Sequence, residues 1–315
     1  MSAPQETGAA PIAAEAAALA SPVASRAAGR TFSVGAILQL AGINLLWAAS
    51  SVAAKSGLES FGPFTLSALR FFPAGLALLA LAGRGRPRPR LQREDWPAFG
   101  FLGGVGIALT YGLFNFGLNH TTATDSSVLF ACEPILIALF ARLFLHEALT
   151  LRQWTGMVIG LVGIWLIAGQ AFGNLIVLLA VCAESTTGVV AKRLTRTYPG
   201  LMVVGVQMLL GSLLLFPLAG WELLSAPHPL TWAGIGGWLY LSVVCSMLCF
   251  GVWYHLLGRF PISAMGVFIL TQPMFGPVYG WALRGETLKP VGVVGCALVI
   301  AGISLTTLAP QRRGG

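Results

Sequence analysis

Three charged side chains, Arg70, Glu133 and Glu184, interrupt runs of apolar residues long enough to lie in a membrane. A charge at the centre of a bilayer costs about 2.5–3.5 kcal/mol on insertion scales, so each needs a function or a partner. Glu133 stands immediately before Pro134. A proline inside a helix removes one backbone donor and frees a carbonyl one turn earlier, here near Leu129 or Phe130, which opens a polar spot beside the carboxyl. Such a carboxyl suits a substrate or proton site. The alternative is a protonated or paired glutamate that holds helices together. Glu184 is followed by Ser185, Thr186 and Thr187, whose hydroxyls bond helix carbonyls or line a watery path. Arg70 has three readings: a fork for a substrate carboxylate, a partner for Glu133 or Glu184, or a side chain that snorkels to the nearer interface. Snorkelling or structural pairing asks least of it.

The chain repeats itself. Glu133-Pro134, Glu147, Gly156 and Gly163 recur as Gln272-Pro273, Glu286, Gly295 and Gly302, each 139 residues later (272−133, 286−147, 295−156, 302−163). Upstream, Val52-Ala53-Ala54-Lys55 recurs as Val189-Val190-Ala191-Lys192, and Arg70 falls opposite Gln207, both at an offset of 137 (192−55, 207−70). The chain is therefore two related halves. Glu184 matches Trp47 under the 137 offset, so both are expected to face one cavity between the halves. Gln272 is the neutral counterpart of Glu133. One side then offers a titratable group and the other a fixed amide, which suits a zwitterion or another polar metabolite. Proton coupling is also expected, because a carboxyl withdrawn from water is favoured with its proton on. The candidate substrate-binding residues are Glu133, Glu184, Gln272, Trp47, Arg70, Gln207 and Tyr254, with Pro134 and Pro273 as helix kinks. Asn44, Asn115, Tyr111 and Trp253 could add hydrogen bonds or aromatic walls. For these, as for Tyr254, ordinary helix packing is the simpler role.

Other chemistry is missing from the pattern. No Gly-x-x-x-x-Gly-Lys-[Ser/Thr] loop is present to cradle ATP phosphates, no Gly-x-Ser-x-Gly elbow and no His-Glu-x-x-His zinc motif. The two aspartates, Asp95 and Asp125, fall outside the middle of any apolar run. His120, His146, His228 and His255 are scattered, and Cys132, Cys182, Cys245, Cys249 and Cys296 lack zinc-ligand spacing. No metal or cofactor is implied. Glu147 and Glu286 sit beside basic residues at helix ends and read as interface or capping residues of the repeat rather than substrate ligands.

These residues must be positioned by membrane helices. Of 315 residues 56% are hydrophobic and only 10% charged, against about 25% charged in a soluble domain; the mean hydropathy is +0.79. Runs near the ~20 residues that cross a bilayer are expected over 33–54, 65–82, 97–117, 124–144, 152–169, 174–193, 200–219, 233–255, 263–283 and 290–308. They lack the alternating polarity of barrel strands. With the N-terminus inside, inner segments hold fifteen Lys and Arg and outer ones only Lys55, Arg284 and Lys289. That bias places both termini in the cytoplasm. It also makes the net charge of +8 a topology signal rather than a nucleic-acid footprint. The run Arg84-Gly-Arg-Pro-Arg-Pro-Arg90 pins orientation or meets anionic lipid. Residues 1–32, rich in Ala, Pro and Ser, read as a disordered cytoplasmic tail, and 309–315 as a second tail. Five helices per half is an odd number, so the second half must enter the membrane upside down. The expected architecture is an all-α polytopic membrane protein of ten transmembrane helices in two inverted five-helix repeats, 33–169 and 174–308. Such an arrangement has two near-equivalent states, one open to each side.

Particular motifs carry a family resemblance. Trp47-Ala48-Ala49-Ser50-Ser51, Leu69-Arg70-Phe71, Glu133-Pro134 with Glu147, Thr150 and the Gly156/Gly163 helix, and Gly285-Glu286 with Leu288 resemble the repeat of EamA-type transporters in the drug/metabolite transporter superfamily. The resemblance covers about residues 35–308. It departs at Ala48, where glycine is common, and at Glu184-Ser185-Thr186-Thr187, which stands where the first half has Trp47 and its neighbours. It implies a secondary carrier and not an enzyme, often an exporter of amino acids or related metabolites, in a bacterial inner membrane. Its partners would be a small-molecule substrate and membrane lipids; with no ATP loop in the chain, a gradient of substrate, protons or sodium is left as the energy source, and protons are the coupling ion that a buried carboxyl suits. A monomer suffices and a dimer is compatible. Two rivals from other classes are a membrane-embedded enzyme acting on lipid-linked substrates and a non-transporting scaffold. The first would need convergent acid, base or metal groups at one membrane face. The second would need a sizeable soluble sensor or docking tail. The sequence offers neither.

Overall fold

The computed structural model describes residues 33–84, 89–130, 132–136, 139, 150–169, 171–225, 228–260, 265–287 and 290–307. Both expected tails, the Arg86–Arg88 part of the basic loop, Glu147 and His146 lie outside the described residues. Among the described residues every regular element is helical. The helices are α1 (Val34–Gly57), α2 (Pro63–Ala82), α3 (Arg93–Asn119), α4 (Ala123–Phe130), α5 (Leu151–Ala168), α6 (Phe172–Thr197), α7 (Gly200–Ser225), α8 (Trp232–Leu257), α9 (Thr271–Arg284) and α10 (Pro290–Thr307). Seven of these, α1, α2, α3, α5, α6, α7 and α8, are long and apolar enough to cross a membrane. The sequence leads one to expect ten. The other three expected spans coincide with α4, α9 and α10, where the described helix is shorter or less apolar.

Local chemistry sets the ends. The Ser33 hydroxyl accepts from Ala36 N at 3.2 Å to start α1. Thr150 and Gln153 form a reciprocal cap at the start of α5, which satisfies two of the orphan donors of a helix N-terminus. Pro63 and Pro290 open α2 and α10, where the missing N–H is no loss. Gly285 takes the left-handed φ of 63° that lets the chain leave α9. Several spans run past their expected limits: α3 reaches Asn119 and α7 reaches Ser225. Polar residues near the lipid surface do not end a helix when no glycine or proline does. Trp96, Trp154, Trp221, Trp232 and Trp281 are exposed near helix ends, where indole rings prefer the interface.

Four helices are interrupted near the middle of the bundle. The α1 backbone turns at Ala49 and that of α6 at Thr186. These are equivalent positions of the two halves (186−49 is 137). In α3 and α8 the turn widens to a π-type winding over Leu102–Leu109 and Tyr240–Cys249. The segments again correspond: shifted by 139, 102–109 falls on 241–248, inside the second segment. Wide turns often mark functional segments of a helix.

The expected proline kinks have counterparts. α4 stops at Phe130, Cys132 N bonds Leu129 O at 3.1 Å, and helical backbone resumes at Glu133. A 3-10 turn over Val267–Leu270 precedes α9, so Pro273 falls in a first turn that needs no donor there.

Contacts at the chain turns show which ends lie together. Lys55, near the end of α1, donates to Leu118 O at 2.7 Å, near the end of α3. Thr121, just after α3, bonds Asn174 at the start of α6. Ser60 meets Thr231, before α8, at 3.0 Å. Glu222, near the end of α7, accepts from Phe64 N (3.1 Å) and Thr65 N (2.7 Å) at the start of α2. Glu286, after α9, accepts from Ala123 N (3.0 Å) and Thr124 N (2.9 Å) at the start of α4. Glu286 is thus a cap, as its position at a helix end suggested. The closest helix pairs, α2 with α7 and α5 with α10, each join one half to the other. α5 and α10 approach through Gly156, Gly160, Gly163, Gly295 and Gly302; a Cβ on Gly163 would sit 2.7 Å from the Gly295 carbonyl.

Candidate functional site

The π-type segment of α8 and the second part of α3 (Thr110–Asn119) pack against α2 and enclose Arg70. Arg70 is 2% exposed and does not snorkel, which overturns that reading. Its guanidinium lies 4.7 Å from the Phe71 ring centre and 4.8 Å from that of Tyr111, and its Nε donates to Ser246 Oγ at 2.8 Å. Aromatic faces and a hydroxyl replace the water that snorkelling would have sought. Ser242 Oγ donates to the Arg70 carbonyl at 3.0 Å. Among the described residues no carboxylate comes within ion-pair distance of Arg70; the ion pair found there is Arg284 with Glu59. The pairing reading therefore does not hold at contact distance either.

Glu133 and Glu184 come from different halves and lie within electrostatic reach of each other and of the hydroxyls of Tyr111 and Tyr254. Glu184 also feels Arg70; the nearby Thr110 hydroxyl donates to Val105 O at 2.8 Å. Glu184 Oε2 is buried with no hydrogen-bond partner. Leaving a buried acceptor unsatisfied costs about 1–3 kcal/mol, more for a charged group. That oxygen is where a proton or a cationic ligand would be held most strongly. Ser185 and Thr187 do not help it: their hydroxyls bond the carbonyls of Val181 and Glu184.

The remaining candidates are distributed around this centre. Gln207 is buried and accepts from the Tyr254 hydroxyl at 2.7 Å. Trp47 donates to Cys245 O at 3.2 Å and packs edge-on against Phe250 and Trp253, with ring centres 5.1 and 5.7 Å away. Phe250 touches Trp47, Phe71, Tyr111 and Tyr254, so one ring joins both flanks of the site. Gln272 is set apart. Its Nε2 donates to Asn44 Oδ1 at 3.1 Å, and no described contact links it to either glutamate. Asn44 and Asn115 bond within their own surroundings, to Leu40 O and to Ser67 Oγ, both at 2.8 Å. Among the described residues no group of three or more His, Cys, Asp or Glu could hold a metal.

Sequence reading missed Ser242, Ser246 and Phe250. The trace of the two serines was a face of small residues on α8, with Ser242, Cys245, Ser246 and Cys249 at the i, i+3, i+4, i+7 spacing of one side of a helix. It also missed that Lys55 and Lys192 do the same work. Lys192 bonds Leu257 O and, at 2.9 Å, Phe260 O. The carbonyls are equivalent to those that Lys55 binds, Leu118 and Thr121 (257−118 and 260−121 are 139).

The EamA-like transporter family matches residues 34–169 and again 171–308. The chain belongs to that family. An EamA-like chain is a membrane transporter, and the double match makes the two halves two copies of one repeat. Among curated relatives, an uncharacterized transporter of Archaeoglobus fulgidus is 26% identical over 86% of this chain and 96% of its own. A "Probable terminal-alkyne amino-acid exporter" of Streptantibioticus cattleyicolor is 30% identical over 82% of this chain and 89% of its own. A crystal structure at 21% identity superposes with a TM-score of 0.62, covering 88% of this chain and 98% of that one; at that identity it speaks for the fold alone. The coarse reading, an all-α multi-pass membrane transporter, is thereby established.

Proposed function

We propose that this EamA-like chain is a ten-helix secondary carrier whose two repeats are inverted and enclose a site for a small polar metabolite of the amino-acid kind. The observation that carries the reading is Glu184 Oε2, buried and unpartnered, within electrostatic reach of Glu133 from the other repeat. A carboxylate so placed is stabilised by an ammonium group or by a proton, and each can displace the other. Arg70 adds a guanidinium fixed by Ser246 and two rings, with its terminal nitrogens suited to a carboxylate. Opposite charges held apart complement a zwitterion.

Inversion is supported by the ends that meet: α1 finishes where α6 begins, through Lys55, Thr121 and Asn174. A pseudo-symmetric carrier of this kind has two states related by exchange of the halves. The excess of Lys and Arg on one side supports a cytoplasmic-membrane protein with both termini inside. The amino-acid exporter among the relatives supports the substrate class and outward transport. Export would then run as proton exchange: substrate leaves Glu133 and Glu184 on one side, and protons occupy them for the return. The Glu133→Gln protein in proteoliposomes is expected to keep substrate counterflow and lose proton-driven transport. If both activities are unchanged, Glu133 has no coupling role.

A further inference from the structure

Two rings in the middle of the bundle are placed to meet a ligand. Leu40, Ile43, Asn44, Ala48 and Ser51 make the inward face of α1 and are buried, at the spacing of one helix side. Trp47 lies on that face yet stays partly uncovered. On α6 the same holds for Glu184, which stands among buried Val177, Ala180, Val181, Thr187 and Ala191. At the end of α4 and just beyond it, Phe130 and Glu133 stay partly uncovered beside buried Val128, Leu129, Cys132 and Ile135. Among the described residues two large apolar clusters fill the bundle, one around Phe71 and Met208 and one around Leu66 and Leu129. Trp47 and Phe130 are the partly covered apolar side chains that pack against both. Their uncovered surface therefore faces a gap between the clusters and not lipid.

The two rings share a depth with the charges. Trp47 Nε1 donates to Cys245 O at 3.2 Å and Arg70 Nε to Ser246 Oγ at 2.8 Å, so both are anchored to consecutive residues of α8. The Phe130 ring lies 6.2 Å from that of Tyr111, over which the Arg70 guanidinium sits at 4.8 Å. The Phe71 and Tyr111 rings already serve that guanidinium, which leaves Trp47 and Phe130 with surface to offer. We infer that Trp47 and Phe130 form a side-chain subsite, and that the substrate is an amino acid with a large apolar side chain, aromatic above all. The inference rests on the carrier reading and names its substrate. Arg70 takes the carboxylate, Glu184 the ammonium, and the two rings the side chain. Small-molecule sites are mostly apolar, with a few polar groups that fix orientation. A ring placed against Trp47 and Phe130 gains edge-on or offset contacts beyond its buried area. A hydroxyl placed there gives up water for rings that accept no ordinary hydrogen bond, and a small side chain leaves the gap unfilled.

Counterflow of labelled amino acids into proteoliposomes of the full chain, at equal concentrations below saturation, tests the inference. Phenylalanine should exchange about a hundredfold faster than serine, within the range by which an apolar pocket discriminates. Trp47→Ala and Phe130→Ala should each lower that ratio about tenfold. Trp47→Phe keeps a ring, gives up the bond to Cys245 O, and should retain the preference; a ratio lost there as in Trp47→Ala overturns the assignment. Where Trp47→Ala does not fold, Phe130→Ala and the ratio of the unaltered protein decide. If none of the twenty amino acids moves, the carrier reading falls and the inference with it. If serine moves as fast as phenylalanine, or folded alanine variants keep the original ratio, the side-chain subsite alone falls and the carrier stands.

Discussion

The two repeats agree at their ends and differ at their centres. At the ends, Lys55 and Lys192 cap equivalent carbonyls. The Phe61–Trp238 ring pair, 6.2 Å apart, has its equivalent in Tyr198–Phe99 at 5.6 Å (198−61 is 137, 238−99 is 139). At the centre the backbone turns at Ala49 and Thr186 still correspond, but the polar side chains do not. In the repeat Arg70 corresponds to Gln207, Glu133 to Gln272, Trp47 to Glu184, Tyr111 to Phe250 and Asn115 to Tyr254. The lesson is a division of labour. What closes each helix end is a demand of the membrane, which leaves backbone groups no water to bond, and the demand is the same in both halves. What sits at the midplane is free of that demand, and under the proposed function it answers to a ligand that is not two-fold symmetric.

Substitutions can break that division in order of expected size. Glu184→Gln removes the unpartnered carboxylate and should lower the maximal transport rate about a hundredfold, about 2.7 kcal/mol in the transport barrier. Initial-rate flux in proteoliposomes checks it, and the same change should leave thermal stability equal or higher, since an unpaired buried carboxylate is lost rather than a contact. Lys55→Met and Lys192→Met should each destabilise the fold by about 2 kcal/mol, because each leaves carbonyls without a charged donor. Denaturant titration in detergent should return similar values for the two, and a difference above about 1 kcal/mol would show the ends to be less alike than their contacts. Glu286→Ala and Glu222→Ala should each cost about 1–2 kcal/mol as lost helix caps. Tyr254→Phe deletes one hydrogen bond to Gln207 and should cost about 1 kcal/mol, with a smaller effect on transport than Glu184→Gln.

Much of this is legible in the amino-acid sequence. The repeat offsets, the apolar runs and the helix-end role of Glu286 follow from spacing, because membrane helices satisfy their own backbone and so advertise their length. The meeting of Glu133 with Glu184 is expected only as two residues facing one cavity. The fate of Arg70 is not legible: whether a long side chain snorkels or stays depends on what neighbouring helices offer, and Ser246, Phe71 and Tyr111 come from different turns and different halves. Nor are the π-type windings of α3 and α8, since the apolar sequence reads the same whether a turn is narrow or wide. Gln272 shows the limit of repeat logic. It occupies the place of Glu133 in sequence yet is held by Asn44, away from the carboxylates.

The account depends on a site between the repeats that is reached from each side in turn. Ser246, bonded to Arg70 at the centre, is the place to ask. In a chain with its five native cysteines replaced, Ser246→Cys should react with a membrane-impermeant thiol reagent applied to either side, and substrate should slow both reactions. A thiol that reacts from neither side, in a protein that still folds, would contradict the account.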